Sequence, residues 1–139
     1  MSNVNNSGVR DYKSNRSFGN GLGAADAVSL ITLTDAANAD FSPVPNGIHS
    51  MVPTAARALT ITQATASATD LRIGEGFRFY IKNDSAGAFS ITLVAGGGAN
   101  VETQGTSTLV IAQGETGVFM LYRSAAAVHG ITGLGISSH

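Results

Sequence analysis

The chain of 139 residues has no cysteine, no tryptophan, only three prolines and very few charges. Without cysteine it has no disulfide framework, no thiolate metal site and no thiol nucleophile. Lys, Arg, Asp and Glu make up 12% of the residues, about half of the roughly 25% usual in soluble domains. The formal net charge is −1, so the sequence predicts neither nucleic-acid binding nor attraction to an anionic membrane. No apolar run approaches the roughly 18–20 residues that span a bilayer. The opening residues, MSNVNNSGVRDYKSNRSFGNG, carry no apolar core, so a secretory signal is not expected.

Hydrophobic residues reach 43%, and Ser and Thr are plentiful. A chain with so few charges stays in solution by coating itself with small polar groups or by burying surface against other subunits. Homomeric interfaces are depleted of charge at their centres. The composition therefore predicts an oligomer.

Residues 1–24 differ from the rest. They hold five asparagines and four glycines, with Arg10, Lys13 and Arg16 set against Asp11. The segment has no hydrophobic period, and it reads as a polar N-terminal arm, flexible or ordered by a partner. Tyr12 and Phe18 are its aromatic anchors, and Arg10 and Arg16 its charged contacts.

Residues 25–139 read as a β body. Phe77, Phe79 and Ile81 alternate with Arg78, Tyr80 and Lys82, and Phe89, Ile91 and Leu93 alternate with Ser90, Thr92 and Val94. A period of two puts each set on one face of a strand. Further strands are predicted at Val28–Thr34, Ile48–Val52, Arg57–Gln63, Thr108–Ala112, Val118–Arg123 and Ala127–Ile136, with a short strand or turn at Leu71–Ile73. Asn83-Asp84-Ser85-Ala86-Gly87 has the composition of a hairpin loop. About eight short strands with no long helix predict an all-β fold, a β-sandwich or jelly-roll-like body carrying the extended arm.

Reactive constellations are absent from the sequence. His49, His129 and His139 lack the short spacing of a zinc site and read as surface or loop histidines. Asp70 and Glu75 flank Arg72 as a local ion pair or a solvated loop. Gly19–Gly23 falls short of a dinucleotide fingerprint, and Gly96-Gly97-Gly98 is not followed by the Lys-Ser or Lys-Thr of a phosphate loop. Arg78, Tyr80 and Lys82 are too few for a nucleic-acid surface and read better as an exposed edge or a subunit contact. The sequence predicts no enzyme, no cofactor and no metal.

The stretches GEGFRFYIKNDSAG, FSITLVAGGGANV and TSTLVIAQGETGVFMLYRS resemble β modules in the virion proteins of tailed phages, chiefly the capsid decoration or cement proteins. The resemblance implies a homotrimer on the capsid surface, bridging major capsid proteins and stabilising the head against internal DNA pressure. It implies no direct nucleic-acid contact and no membrane. Within it the arm residues Arg10, Tyr12, Arg16 and Phe18 become the expected capsid or subunit contacts. The alternative expectation is a receptor- or glycan-binding module of a fibre or adhesin, using loops at Asp40–Pro53 or Gly96–Gln104.

Overall fold

A computed structural model describes residues 28–96, 101–104 and 109–139. Ten strands and one short helix follow in the order β1 (Ser29–Thr32), β2 (Ala39–Asp40), β3 (Gly47–Met51), β4 (Arg57–Ile61), α1 (Gln63–Ser67), β5 (Gly76–Asn83), β6 (Ile91–Ala95), β7 (Val101–Gln104), β8 (Val110–Ile111), β9 (Glu115–Ala125) and β10 (Val128–Ser138). They make two sheets, a six-stranded one ordered β1-β3-β5-β9-β10-β7 and a four-stranded one ordered β2-β4-β6-β8. The β-rich, two-sheet body is the one the alternation predicts.

The winding is different from the expected one. From β1 to β6 the chain passes from one sheet to the other at every strand. Strands β1, β3 and β5 lie parallel in the first sheet, and β2, β4 and β6 lie parallel in the second. These six strands form three turns of a flattened coil. The coil is then closed by antiparallel pairings, β8 on β6 and β9 on β5. The β9–β10 hairpin continues the larger sheet, and β7 adds to β10 in parallel. A jelly roll is built instead from antiparallel Greek keys.

One consequence concerns Asn83–Gly87. This segment joins β5 in one sheet to β6 in the other, so it is a corner between sheets and not a hairpin loop. The tight hairpin lies at Ala126-Ala127, between β9 and β10. Phe89, expected within a strand, falls in the corner, and β6 begins at Ile91.

The core sits between the two sheets. Met51 on β3, Phe79 and Ile81 on β5, and Phe119 and Leu121 on β9 face Leu59 and Ile61 on β4, Ile91 and Leu93 on β6, and Ile111 on β8. Burying each such side chain contributes about 1.5–3 kcal/mol. The rings of Phe79 and Phe119 stack with centroids 5.6 Å apart. Gly117 leaves the room this needs, because a Cβ there would stand 2.6 Å from the Phe119 ring.

The helix α1 forms because Thr62 caps it. Thr62 Oγ1 accepts the Thr65 N–H at 3.2 Å, while Thr65 Oγ1 accepts the Thr62 N–H at 2.9 Å. This reciprocal box satisfies two donors that a helix start otherwise leaves unpaired. Ala66 is the face of the helix that reaches the core. Among the described residues no helix is long and apolar enough to cross a membrane.

Corners between the sheets are held by polar side chains. Asn83, fully buried, donates through Nδ2 to the carbonyls of Phe89 (2.8 Å) and Ile111 (3.0 Å) and accepts the Ser85 N–H through Oδ1 (3.0 Å). Ser85 Oγ in turn donates to the Pro53 carbonyl at 2.9 Å, which ties the corner to the preceding turn of the coil. At the first corner, Asp35 accepts from the Thr54 hydroxyl at 2.7 Å and from Arg57 Nε. Hydrogen bonds from Arg57 first and Thr54 second lower the Asp35 pKa to about 2.

Candidate assembly interface and inner-face histidines

Strand β1 pairs with β3 on one side only; among the described residues its other side is free. A strand edge left open presents a row of backbone donors and acceptors that another strand can complete. Folded proteins usually blunt such an edge with lysine, proline, a bulge or a covering loop. The run Val28-Ser29-Leu30-Ile31-Thr32-Leu33-Thr34 contains neither charge nor proline. Leu30 is 81% exposed and Val28 52%.

The register extends this apolar edge across the outer face of the larger sheet. Leu30 stands opposite Ile48, Ile48 opposite Tyr80, and Tyr80 opposite Val118. Residues of the next row are small or polar: Thr32, Ser50, Lys82 and Thr116. Arg78 and Lys82 supply the positive charge of β5 on this face. They flank Tyr80, as the alternation predicts.

Asp84 anchors one corner of the face. Its carboxylate accepts from Ser50 Oγ at 2.9 Å, pairs with Lys82 Nζ at 3.3 Å and meets His139 Nε2 at 3.1 Å. Burial works to raise the Asp84 pKa, and the hydrogen bonds from Ser50, His139 and Lys82 outweigh it and leave it lowered.

The arm contacts predicted from sequence, Arg10, Tyr12, Arg16 and Phe18, lie outside the described residues. What the fold adds is the point of attachment: the described chain starts at Val28 and enters the open edge strand at Ser29. The loops expected for a glycan-binding module are altered by the fold. Within Asp40–Pro53, Gly47–Met51 is strand β3 with His49 and Met51 buried, and Val101–Gln104 is strand β7.

Two histidines read as surface or loop residues are buried on the inner face of the larger sheet, His49 at 1% exposure and His129 at 2%. His49 sits against Phe41 with ring centroids 4.9 Å apart. Its Nδ1 lies 2.9 Å from the Tyr80 carbonyl and its Nε2 accepts the Val44 N–H at 3.2 Å. One nitrogen must therefore donate and the other accept, which is the neutral imidazole with its proton on Nδ1. Burial pushes its pKa down. Position in the alternation was the signal for this: His49 shares a strand face with Met51.

The Asp70–Arg72–Glu75 group is a turn built on backbone. Glu75 Oε1 accepts the Arg72 main-chain N–H at 2.9 Å. Among the described residues no group of three or more His, Asp or Glu is placed to hold a metal ion. Phe89 lines a shallow depression of about 280 Å³ with Ala88, Ser90, Ala112 and Gln113. No protein-family model, curated protein or solved structure matches the chain.

Proposed function

We propose that this protein is a structural module that adds itself to the surface of a larger assembly, a capsid decoration protein of the tailed-phage kind. The observation that carries the reading is the uncharged open edge β1, with Leu30 exposed on it, lying immediately after the N-terminal segment. Strand addition to such an edge gives affinity through main-chain hydrogen bonds and specificity through alternate side chains.

In this reading the arm of one copy, with Tyr12 and Phe18 as anchors, adds to β1 of the next copy. A head-to-tail contact of this kind closes into a ring when the rotation allows it, and the ring proposed here is a homotrimer. The trimer sits on the capsid surface and bridges major capsid proteins, without touching nucleic acid or membrane. The absence of charge from the β1 run Val28–Thr34 supports this, since the centre of a subunit contact is poor in charge. Binding to the assembled shell would stabilise it by mass action, about 2.7 kcal/mol per site at a hundredfold excess over Kd.

The test is co-sedimentation with emptied, expanded capsids that lack the protein. The intact chain should pellet with the shells, and Leu30→Lys should not. If both stay in the supernatant at saturating concentration, the decoration reading is wrong.

A further inference from the structure

The connector from α1 to β5 leaves the gap between the sheets open at one end. The opening is a cavity of about 240 Å³ lined by Ser67, Asp70, Leu71, Arg72, Arg123 and His129. Arg123 and His129 are register partners on β9 and β10, so the larger sheet presents them side by side. The connector supplies the opposite wall.

Arg123 is held in place by carbonyls alone. Nη1 donates to Leu71 at 2.8 Å, Nε donates to Ala125 at 3.2 Å, and Nη2 donates to Ala126. Among the described residues no carboxylate stands within ion-pair distance of it. The guanidinium is thus oriented but its charge is not neutralised. Three carbonyls use three of its five N–H groups, which leaves donors for a further acceptor.

His129 is buried, and its Nδ1 has no hydrogen-bond partner. That nitrogen is closed off from the cavity, so the ring contributes to the cavity as part of its wall. The charged groups facing the cavity are Arg123 on β9 and Asp70 and Arg72 on the connector. Burial, and then the charge of Arg123, pushes the His129 pKa down. An anion beside Arg123 and Arg72 would offset that charge.

We propose that this cavity binds a small oxyanion, a carboxylate or phosphate group, through Arg123 and Arg72, with the His129 ring as part of its wall. The cavity holds an inorganic phosphate or the acid end of a small organic molecule. Asp70 and Ser67 are placed to take a hydroxyl group beside that acid. The site is independent of the β1 edge and survives if the decoration reading fails.

The experiment is a titration of the full-length, isotope-labelled protein followed by NMR, with sodium phosphate, sodium acetate and sodium chloride as separate probes. Phosphate or acetate should move the His129 ring and Arg123 Nε–H resonances along a saturating curve, with chloride moving them little. Saturation by phosphate alone assigns a phosphate site, by acetate alone a carboxylate site, and by both a general oxyanion site. Arg72→Ala removes an exposed side chain, keeps the fold, and should weaken binding about tenfold, as loss of a charge-assisted hydrogen bond does. No saturable shift up to about 50 mM, equal response to chloride, or unchanged affinity in Arg72→Ala would each overturn the proposal.

Discussion

The side-chain amide of Asn83 donates to the main-chain carbonyl of Ile111 at 3.0 Å, joining the last turn of the parallel coil to the strand that closes it. The same amide holds the Phe89 carbonyl, and its oxygen holds the Ser85 N–H. One buried residue thus satisfies three main-chain groups at the place where the chain changes sheets.

Asn83→Ala should therefore be among the most damaging single changes in the body. Each buried group left unpaired costs about 1–3 kcal/mol, and three are left. The expected loss exceeds about 2 kcal/mol, read as a lower urea midpoint at unchanged slope. Asn83→Asp should also destabilise the fold, because a carboxylate cannot donate to the Phe89 and Ile111 carbonyls.

Gly117→Ala tests the packing of the two stacked rings. The new methyl would meet Phe119 at 2.6 Å and Ile111 at 3.1 Å, both fully buried. Overpacking of this kind costs about 1–3 kcal/mol. Gly130→Ala also creates a close contact, with the outer end of the Tyr122 ring. Tyr122 is partly buried where Phe119 and Ile111 are fully buried, so Gly130→Ala should cost less. Thermal unfolding of the two variants side by side checks the order.

Acid should weaken the protein in two stages. An unfolded histidine takes its proton near pH 6.5, and burial holds the His49 pKa below that value. The unfolded chain then binds the extra proton, so this contribution is complete above about pH 6.5 and falls as the pH drops beneath it. His129 acts in the same direction. The second stage belongs to Asp35, whose pKa is lowered from 3.8 to about 2. Its contribution is present above about pH 3.8 and is lost as the pH falls through about 2. Urea midpoints measured from about pH 8 to 5 should decline, and the His49 ring resonances should titrate below pH 6.5.

The strands that alternate over several residues were legible from sequence, because a period of two survives any arrangement of sheets. Phe77–Asn83 and Val118–Arg123 are such cases, and the core built on Phe79, Ile81 and Phe119 follows from them. Sheet membership was not legible. The same alternation serves a strand that pairs with its neighbour in sequence and one that crosses to the other sheet, so Asn83–Gly87 looked like a hairpin. The true hairpin turns on Ala126-Ala127, which carries none of the Gly, Asn or Asp that mark a turn. Strand β2, with two residues, is too short to show a period. Helix α1 depends on a Thr–Thr capping box in a segment otherwise rich in turn residues.

For the site, the sequence showed an uncharged first strand but not that it lies at an edge. Edge position is set by the parallel coil, which places β3 on one side of β1 and, among the described residues, no strand on the other. The inner-face pair Arg123 and His129 was hidden for a related reason. The two residues become neighbours only through the antiparallel register of β9 and β10.

The most direct test of the account is the native mass of three proteins: the intact chain, the chain lacking residues 1–27, and Leu30→Lys. Leu30 is exposed, so its replacement should leave the fold within about 0.5 kcal/mol of the original. The account predicts that the intact chain runs at three times its 14.1 kDa mass and that both variants run as folded monomers. An intact chain that is itself monomeric, or a trimer that persists in both variants, would contradict the claim that the arm and the open β1 edge assemble this protein.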